Sequence, residues 1–369
     1  SNTIRDRLNE QLGLSRSQII LNSSHTHSGP VLENALYDVY PLDEEMKEEI
    51  QAYSRTLEDQ VVSVVEDAFD QLEPATVSSG NGVTRFAVNR RENEADELRS
   101  LTQLQGPSDH SVPVIRVQNA DGDLMAVAFG YACHSTVLSL YKWSGDYGGF
   151  AQRVLEEDHP GATALFFAGS GADQNPMPRR TVPLARQYGR ELAAAVDRVL
   201  EEPMDELEPE IQTAYSEIDL KLNEPPTEEE LATLAENADG WHHRWADRIL
   251  GEVREGADLR DEYPYPVQVW KLGDQGVISL GGEVVVDYTI DLKRIFGQDL
   301  FVMAYSNDVM AYIPSVRILR EGGYEAQSSQ AVYGLPSTWT ADIENRIMQE
   351  VIRLAQDAGM EMPSEPVFD

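Results

Sequence analysis

The run Ala164-Leu165-Phe166-Phe167-Ala168, followed at once by Gly169-Ser-Gly-Ala-Asp-Gln-Asn-Pro176, reads as a buried strand that opens into a small-residue loop. Asp146-Tyr147-Gly148-Gly149 starts a helix through Leu155 before it, and a well-patterned helix runs from about Pro183 to Leu200 after it. Strand and helix in alternation imply an α/β fold, a mixed β-sheet flanked by helices. Such folds collect functional groups in the loops at one edge of the sheet, so polar residues at strand ends carry the search for a site.

Working outward, Val112–Gln118 and Leu124–Tyr131 flank Asn119-Ala-Asp-Gly122 and read as a hairpin whose second strand delivers Cys133-His134. Val267–Leu272 and Val277–Leu280, joined at Gly273–Gly276, form a second hairpin that leads into Gly281-Gly282-Glu283 and a helix. Leu300–Tyr305 is another buried strand, and Ala75 to Arg90 looks extended. Helices are predicted from residue 1, with Thr3 and Asp6 as a capping pair, and from about Thr340 to Ala358. A long helix from about Asp43 to Leu72 carries a stripe through Met46, Ile50, Tyr53, Leu57, Val61, Val65 and Leu72. The acidic segment 205–262 reads as a peripheral strand plus a helical excursion, a possible lid, within one domain spanning 1–369. In it, Glu228-Glu229-Glu230 complements a helix N-terminus. Trp241, His242, His243 and Trp245 there suit helix packing over the core better than a substrate rim.

Composition narrows the function classes. With 64 Asp and Glu against 29 Lys and Arg, the formal net charge is -35, which repels nucleic acid and anionic surfaces. Lysine occurs only at positions 47, 142, 221, 271 and 293, and a strongly acidic, Lys-poor surface suits a halophilic protein hydrated in high salt. The single Cys133 excludes an internal disulfide. No secretory leader is evident, and no apolar run approaches the roughly 20 residues of a transmembrane segment.

Chemistry concentrates at Ser24-His25-Thr26-His27-Ser28-Gly29-Pro30. If the apolar run Ile19-Ile20-Leu21 begins a strand reaching this motif, the period of two puts both imidazoles on one face. Taken alone, the pair reads more readily as a solvated or hydrogen-bonded element than as a metal site. A catalytic zinc takes three His or carboxylate ligands and leaves a position open. His25, His134 and Glu283, each at a strand end, are candidates for such a set, although His134 also suits a core histidine and Glu283 a helix-terminal carboxylate.

The ordered series 24–30, Asn89-Arg90, Ala132-Cys-His134, Ser144-Gly-Asp146, Phe167–Pro176, Gly282-Glu283 and Tyr324-Glu325 resembles the catalytic domain of the neutral/alkaline non-lysosomal ceramidases, from residue 1 to about 335. The resemblance implies Zn2+ held by His25, His134, Glu283 and Tyr312, with Tyr305 a competitor for the last place. It further implies catalytic or substrate-side roles for His27, Arg90, Asp173 and Asn175, a zinc-activated water attacking an N-acyl amide bond, and a small-molecule or lipid-like amide substrate of sphingolipid type. Members of that family are mostly secreted, periplasmic or membrane-associated. The chain departs from the pattern where the family carries a catalytic Ser: Asn175 stands there, and an amide cannot be acylated. The family's N-terminal strands and C-terminal immunoglobulin-like domain have no counterpart in this sequence. These departures keep open a zinc hydrolase of an ester, lactone or carbohydrate-type substrate, and a catalytically silent zinc-containing binding module. The oligomeric state is not encoded in any pattern found.

Overall fold

The computed structural model describes residues 1–93 and 103–362. In chain order the elements are α1 (Asn2–Leu12), α2 (Glu44–Asp70), β1 (Ala75–Val83), β2 (Ala87–Asn89), β3 (Ser111–Asn119), β4 (Leu124–Tyr131), α3 (Asp146–Asp158), β5 (Thr163–Ala168), β6 (Gln174–Pro176), α4 (Val182–Glu201), β7 (Asp205–Glu206) and β8 (Ile211–Lys221). There follow α5 (Glu228–Asn237), α6 (Gly240–Arg254), β9 (Glu262–Leu272), β10 (Gln275–Leu280), β11 (Glu283–Val284), α7 (Val286–Phe296), β12 (Phe301–Met303), β13 (Tyr312–Ile313), α8 (Val316–Glu321), a π-helical turn Tyr324–Ser328, α9 (Ser329–Val332) and α10 (Ile343–Asp357).

The α/β class with helix-flanked mixed sheets holds, with the strands divided between two main sheets. One has the order β5-β4-β3-β1-β7, the other β12-β10-β9-β8. In each, one edge pair is parallel and enclosed by a helical crossover: β4 with β5 around α3, and β10 with β12 around α7. Both predicted hairpins are present. The first sheet packs its β3 and β4 side chains Val112, Val114, Val127 and Phe129 against Leu155 of α3 and Leu192 and Val196 of α4. The second buries Val267, Val269, Ile278 and Leu280 against Leu292 of α7 and Ile347 and Val351 of α10.

The parallel edge strands of the two sheets meet where their chains emerge. Ala304 N–H donates to Ala168 O at 3.0 Å. Asn22 clamps the seam: its amide donates to the carbonyls of Ala304 (2.6 Å) and Ala168 (3.2 Å), and its Oδ1 accepts Ala168 N–H at 2.8 Å. The loop carrying His25 therefore starts from the junction of both sheets.

Several sequence expectations change. The N-cap of α1 is Ser1 without a side-chain bond, and Asp6 is drawn instead to Arg16 at 2.8 Å, so Thr3 and Asp6 form no capping pair. Asp43 caps α2 by accepting Met46 N–H, but Met46 and Leu72, expected on its apolar stripe, are exposed: α1 covers α2 only around Val61, Val62 and Val65, and Leu72 lies past the helix end. The final helix begins at Ile343, later than Thr340. In the acidic segment, β8 pairs along its whole length with β9, as a peripheral strand should. Thr227 and Glu230 form the reciprocal capping box of α5. Trp245 is buried with Leu231, Ile249 and Leu250, the packing role expected of it.

Candidate metal centre

Three backbone devices bring the candidate ligands together. His134 follows β4 by three residues, where Gly171 of the next loop presses on the strand end: a Cβ at Gly171 would lie 2.5 Å from Cys133 N. That approach lets Gly171 O accept a hydrogen bond from His134 Nδ1 at 2.6 Å. Glu283 opens β11 directly after Gly282, whose φ of +72° and contact with Ala311 O exclude a side chain. Tyr312 is its neighbour in the parallel β11–β13 register.

His25 arrives differently from the sequence expectation. The chain leaves extended structure after a single bridge from Asn22 to Ser306, and residues 23–30 form a loop, so no strand face aligns His25 with His27. His25 instead takes φ 55°, a left-handed conformation that costs a non-glycine residue about 1–3 kcal/mol and recurs at sites where the surroundings enforce it. Its ring stacks on Tyr305, centroids 5.2 Å apart, and Tyr305 is itself left-handed at φ 51°.

The result is one convergent cluster. His25 Nε2 and His134 Nε2 lie 3.2 and 3.1 Å from the same Glu283 Oε2, and one ligand atom from each residue falls within 4.8 Å of the others. A carbonyl can only accept, so His134 carries its proton on Nδ1 and turns a lone pair inward from Nε2. Burial holds His134 down to about 4, hence neutral, although Glu283 pulls the other way. Burial alone would push the Glu283 carboxyl up, but the adjacent imidazoles hold it well below its usual range. These demands conflict: the carboxylate needs a cation at Oε2, and the buried imidazole beside it is denied the proton. No hydrogen-bond donor reaches Oε2, one of the buried orphan atoms of the structure. A divalent metal ion accepting all three lone pairs resolves the conflict, so this donor set fits a metal of zinc type.

The tyrosines differ. The Tyr312 hydroxyl lies 3.2 Å from His134 Nε2 and takes a 3.3 Å bond from Arg90 Nη2. Burial, then Glu283, raises its phenol well above the usual value, with Arg90 opposing. Tyr305 offers the centre a stacked ring, and its buried hydroxyl has no partner. Tyr333, absent from the sequence reading, donates its hydroxyl to Glu283 Oε1 at 2.5 Å and fixes the carboxylate so that Oε2 faces the imidazoles. Tyr333→Phe is expected to fold normally yet bind zinc roughly 10–100-fold more weakly, the usual cost of losing an outer partner; titration against a chromophoric chelator measures it.

The remaining candidates surround this core. His27 is exposed, edge-on to His25 at 5.2 Å. Desolvation, then the neighbouring imidazoles, lowers its pKa from the usual imidazole value. Arg90 is fixed by Glu325 Oε1 at 2.8 Å and lies beneath the rings of Tyr312 and Tyr324. Asn175 is buried on β6 opposite Val88, and its Oδ1 lacks a partner. Asp173 is fully occupied elsewhere. Its oxygens accept Asn89 Nδ2 (3.0 Å) and Val286 N–H at the start of α7 (2.8 Å), and its carbonyl takes Arg90 N–H.

Burial raises Asp173 to about 6, against the Val286 N–H that favours its charged form. A carboxyl raised on folding binds its proton more tightly in the native state. Its contribution is therefore complete at low pH and lost as pH rises from about 4 through 6, up to about 3 kcal/mol. Asp173→Asn should remove that slope. It should also cost about 1–3 kcal/mol at pH 4, because one amide face must oppose a donor, and less at pH 7, where the parent has lost the contribution of its proton. Thermal melts at pH 4 and 7 test this, and an unchanged slope refutes it.

A His/His/Glu centre at strand-end loops between two mixed sheets defines the class to which this molecule is comparable. Among solved structures, neutral ceramidase from Pseudomonas aeruginosa superposes with TM-score 0.72 at 16% identity, covering 100% of this chain and 66% of that one. A ceramidase complexed with C2 gives TM-score 0.72 at 15% identity, covering 100% and 67%. The chain therefore has a ceramidase-like fold and spans about two thirds of the length of those proteins. No protein-family model and no curated protein sequence matches it.

Proposed function

We propose that the chain is a zinc-dependent hydrolase cleaving a linear amide C–N bond, with His25, His134, Glu283 and Tyr312 holding the ion. The observation that carries this reading is the orphaned Glu283 Oε2 between two imidazole Nε2 atoms. The ion, when bound, supplies Lewis acidity toward a carbonyl oxygen and an activated water. Arg90, locked by Glu325, presents a fixed positive charge beside Tyr312, suited to an oxyanion or a departing group. His27, exposed beside His25, would exchange a proton with the leaving amine. Asn175 offers a hydrogen bond and no nucleophile, so water is the attacking group. Asp173 acts through the backbone of Arg90 and the start of α7, as a positioning residue.

The test is hydrolysis of short-chain N-acyl amines alongside metal analysis. Stoichiometric zinc with activity abolished by a chelator and restored by zinc supports the reading; absence of bound zinc sinks it. Asn175 favours one rival, a silent binding module. That rival gains if the protein binds zinc without turnover and Asn175→Ser creates activity.

A further inference from the structure

Residues 139–143 are exposed without interruption between buried Leu138 and half-buried Ser144, and they read Ser-Leu-Tyr-Lys-Trp. Tyr141 is fully exposed and Trp143 is 77% exposed, unlike most aromatic residues of the chain, which are half-buried or buried. The segment is held firmly. Leu138 N–H donates to Asp146 Oδ2 at 2.8 Å, Leu140 N–H to Ser28 Oγ at 2.9 Å, and Ser144 N–H to Ser28 O at 2.9 Å. Ser28 is the residue after His27, and Thr26 Oγ1 also donates to Ser144 O, so this tip is stitched to the loop that carries both site histidines. The apolar surface continues beyond it. Trp143 contacts Tyr53 edge-on at 5.9 Å, and exposed Met46 lies two helical turns from Tyr53 on the same side of α2.

We propose that Leu140, Tyr141, Lys142 and Trp143 dock the protein on a zwitterionic phospholipid surface with the metal centre facing that surface. Tyr and Trp prefer the boundary where an apolar body and a polar edge are both satisfied, and a fixed tip presents them with little ordering cost. Lys142 makes no ion pair among the described residues, which leaves its ammonium free for lipid phosphate. The charge of -35 selects the lipid: an anionic bilayer repels the protein, whereas phosphatidylcholine does not. The same charge opposes burial of this face against a second copy of the chain.

The binding claim stands apart from the hydrolase reading and rests on it only for the purpose of docking. The test is co-sedimentation of the full chain with phosphatidylcholine vesicles, with Trp fluorescence as a second readout. Binding is expected, with a blue shift, and Tyr141→Ser/Trp143→Ser should weaken it at least about tenfold. That variant should leave zinc content and any turnover of a soluble short-chain amide unchanged. Failure of the parent to bind, or equal binding by the double variant, overturns the proposal. So does a concentration-dependent dimer that the variant abolishes, or a raised KM for the soluble amide without vesicle binding. Loss of turnover with vesicle binding intact would instead count against the hydrolase reading alone.

Discussion

Glu283→Gln is expected to eliminate zinc binding and all metal-dependent turnover while leaving the metal-free fold as stable as the parent or more so. Both effects follow from what Oε2 faces. It meets two Nε2 atoms at 3.2 and 3.1 Å, and at least the His134 nitrogen presents a lone pair, because Nδ1 is committed to Gly171 O. An amide nitrogen at that position donates to the His134 lone pair and removes a buried charge whose Oε2 has no donor, a change worth about 1 kcal/mol in favour of the fold. Toward a metal the effect reverses. The single anionic carboxylate of the triad is gone, and the amide nitrogen offers the ion no lone pair, so affinity falls by more than the roughly 10–100-fold typical of outer-partner loss. Thermal melts with and without excess zinc separate the two effects: the parent's transition rises with zinc, and that of the variant does not. A zinc-induced rise in the variant equal to the parent's would remove Glu283 from the centre.

How much of this was legible in the sequence depends on how local each device is. His134 and Glu283 could be placed because each follows an apolar strand, and Glu283 also sits beside a Gly-Gly turn, signals confined to a few residues. The two hairpins were legible for the same reason. The division into two sheets was not, since strand periodicity says which face is buried and nothing about which strands pair. The strand expected to align His25 with His27 failed because Asn22 spends its amide on three carbonyl and hydroxyl acceptors at the seam, and the backbone then turns left-handed at His25. Tyr333 was invisible because it follows a π-helical turn and a short helix with no simple period, and it reaches a carboxylate 50 residues away in sequence. Helical periodicity puts Met46 and Tyr53 on one side of α2 but says nothing about what covers that side: Tyr53 meets Trp143, and Met46 stays exposed.

Glu325 is the second residue whose removal should have a large effect, and it acts on stability first. It was legible only as part of a motif, because its partners lie 235 and 234 residues away. Its carboxylate is 3% exposed and takes Arg90 Nε at 2.8 Å on one oxygen and Arg91 Nη1 at 2.6 Å on the other. Burial alone would push this carboxyl up, yet the two guanidinium groups hold it below its ordinary range. Glu325→Ala leaves Arg90 without an anion, whereas Arg91 keeps Glu321 at 3.0 Å. Stranding one enclosed charge costs about 3 kcal/mol or more. The loss should persist in molar salt, because ions screen enclosed pairs weakly; exposed pairs such as Arg198–Glu202 should lose their small contribution there. The sign with pH follows from the depressed pKa. The stabilisation is present above the unfolded carboxyl's value of about 4.3 and fades as pH falls through the lower folded value, so parent and variant should converge in acid. Denaturant melts at pH 7 and pH 3, each at low and high salt, measure this. A difference that vanishes in molar salt at pH 7 would show that the clamp is a surface pair. A deficit that survives leaves Arg90 as the group to follow, because the freed guanidinium loses its fixed approach to Tyr312. Any residual turnover should then show a larger loss in kcat than in KM, and adding zinc should not restore it.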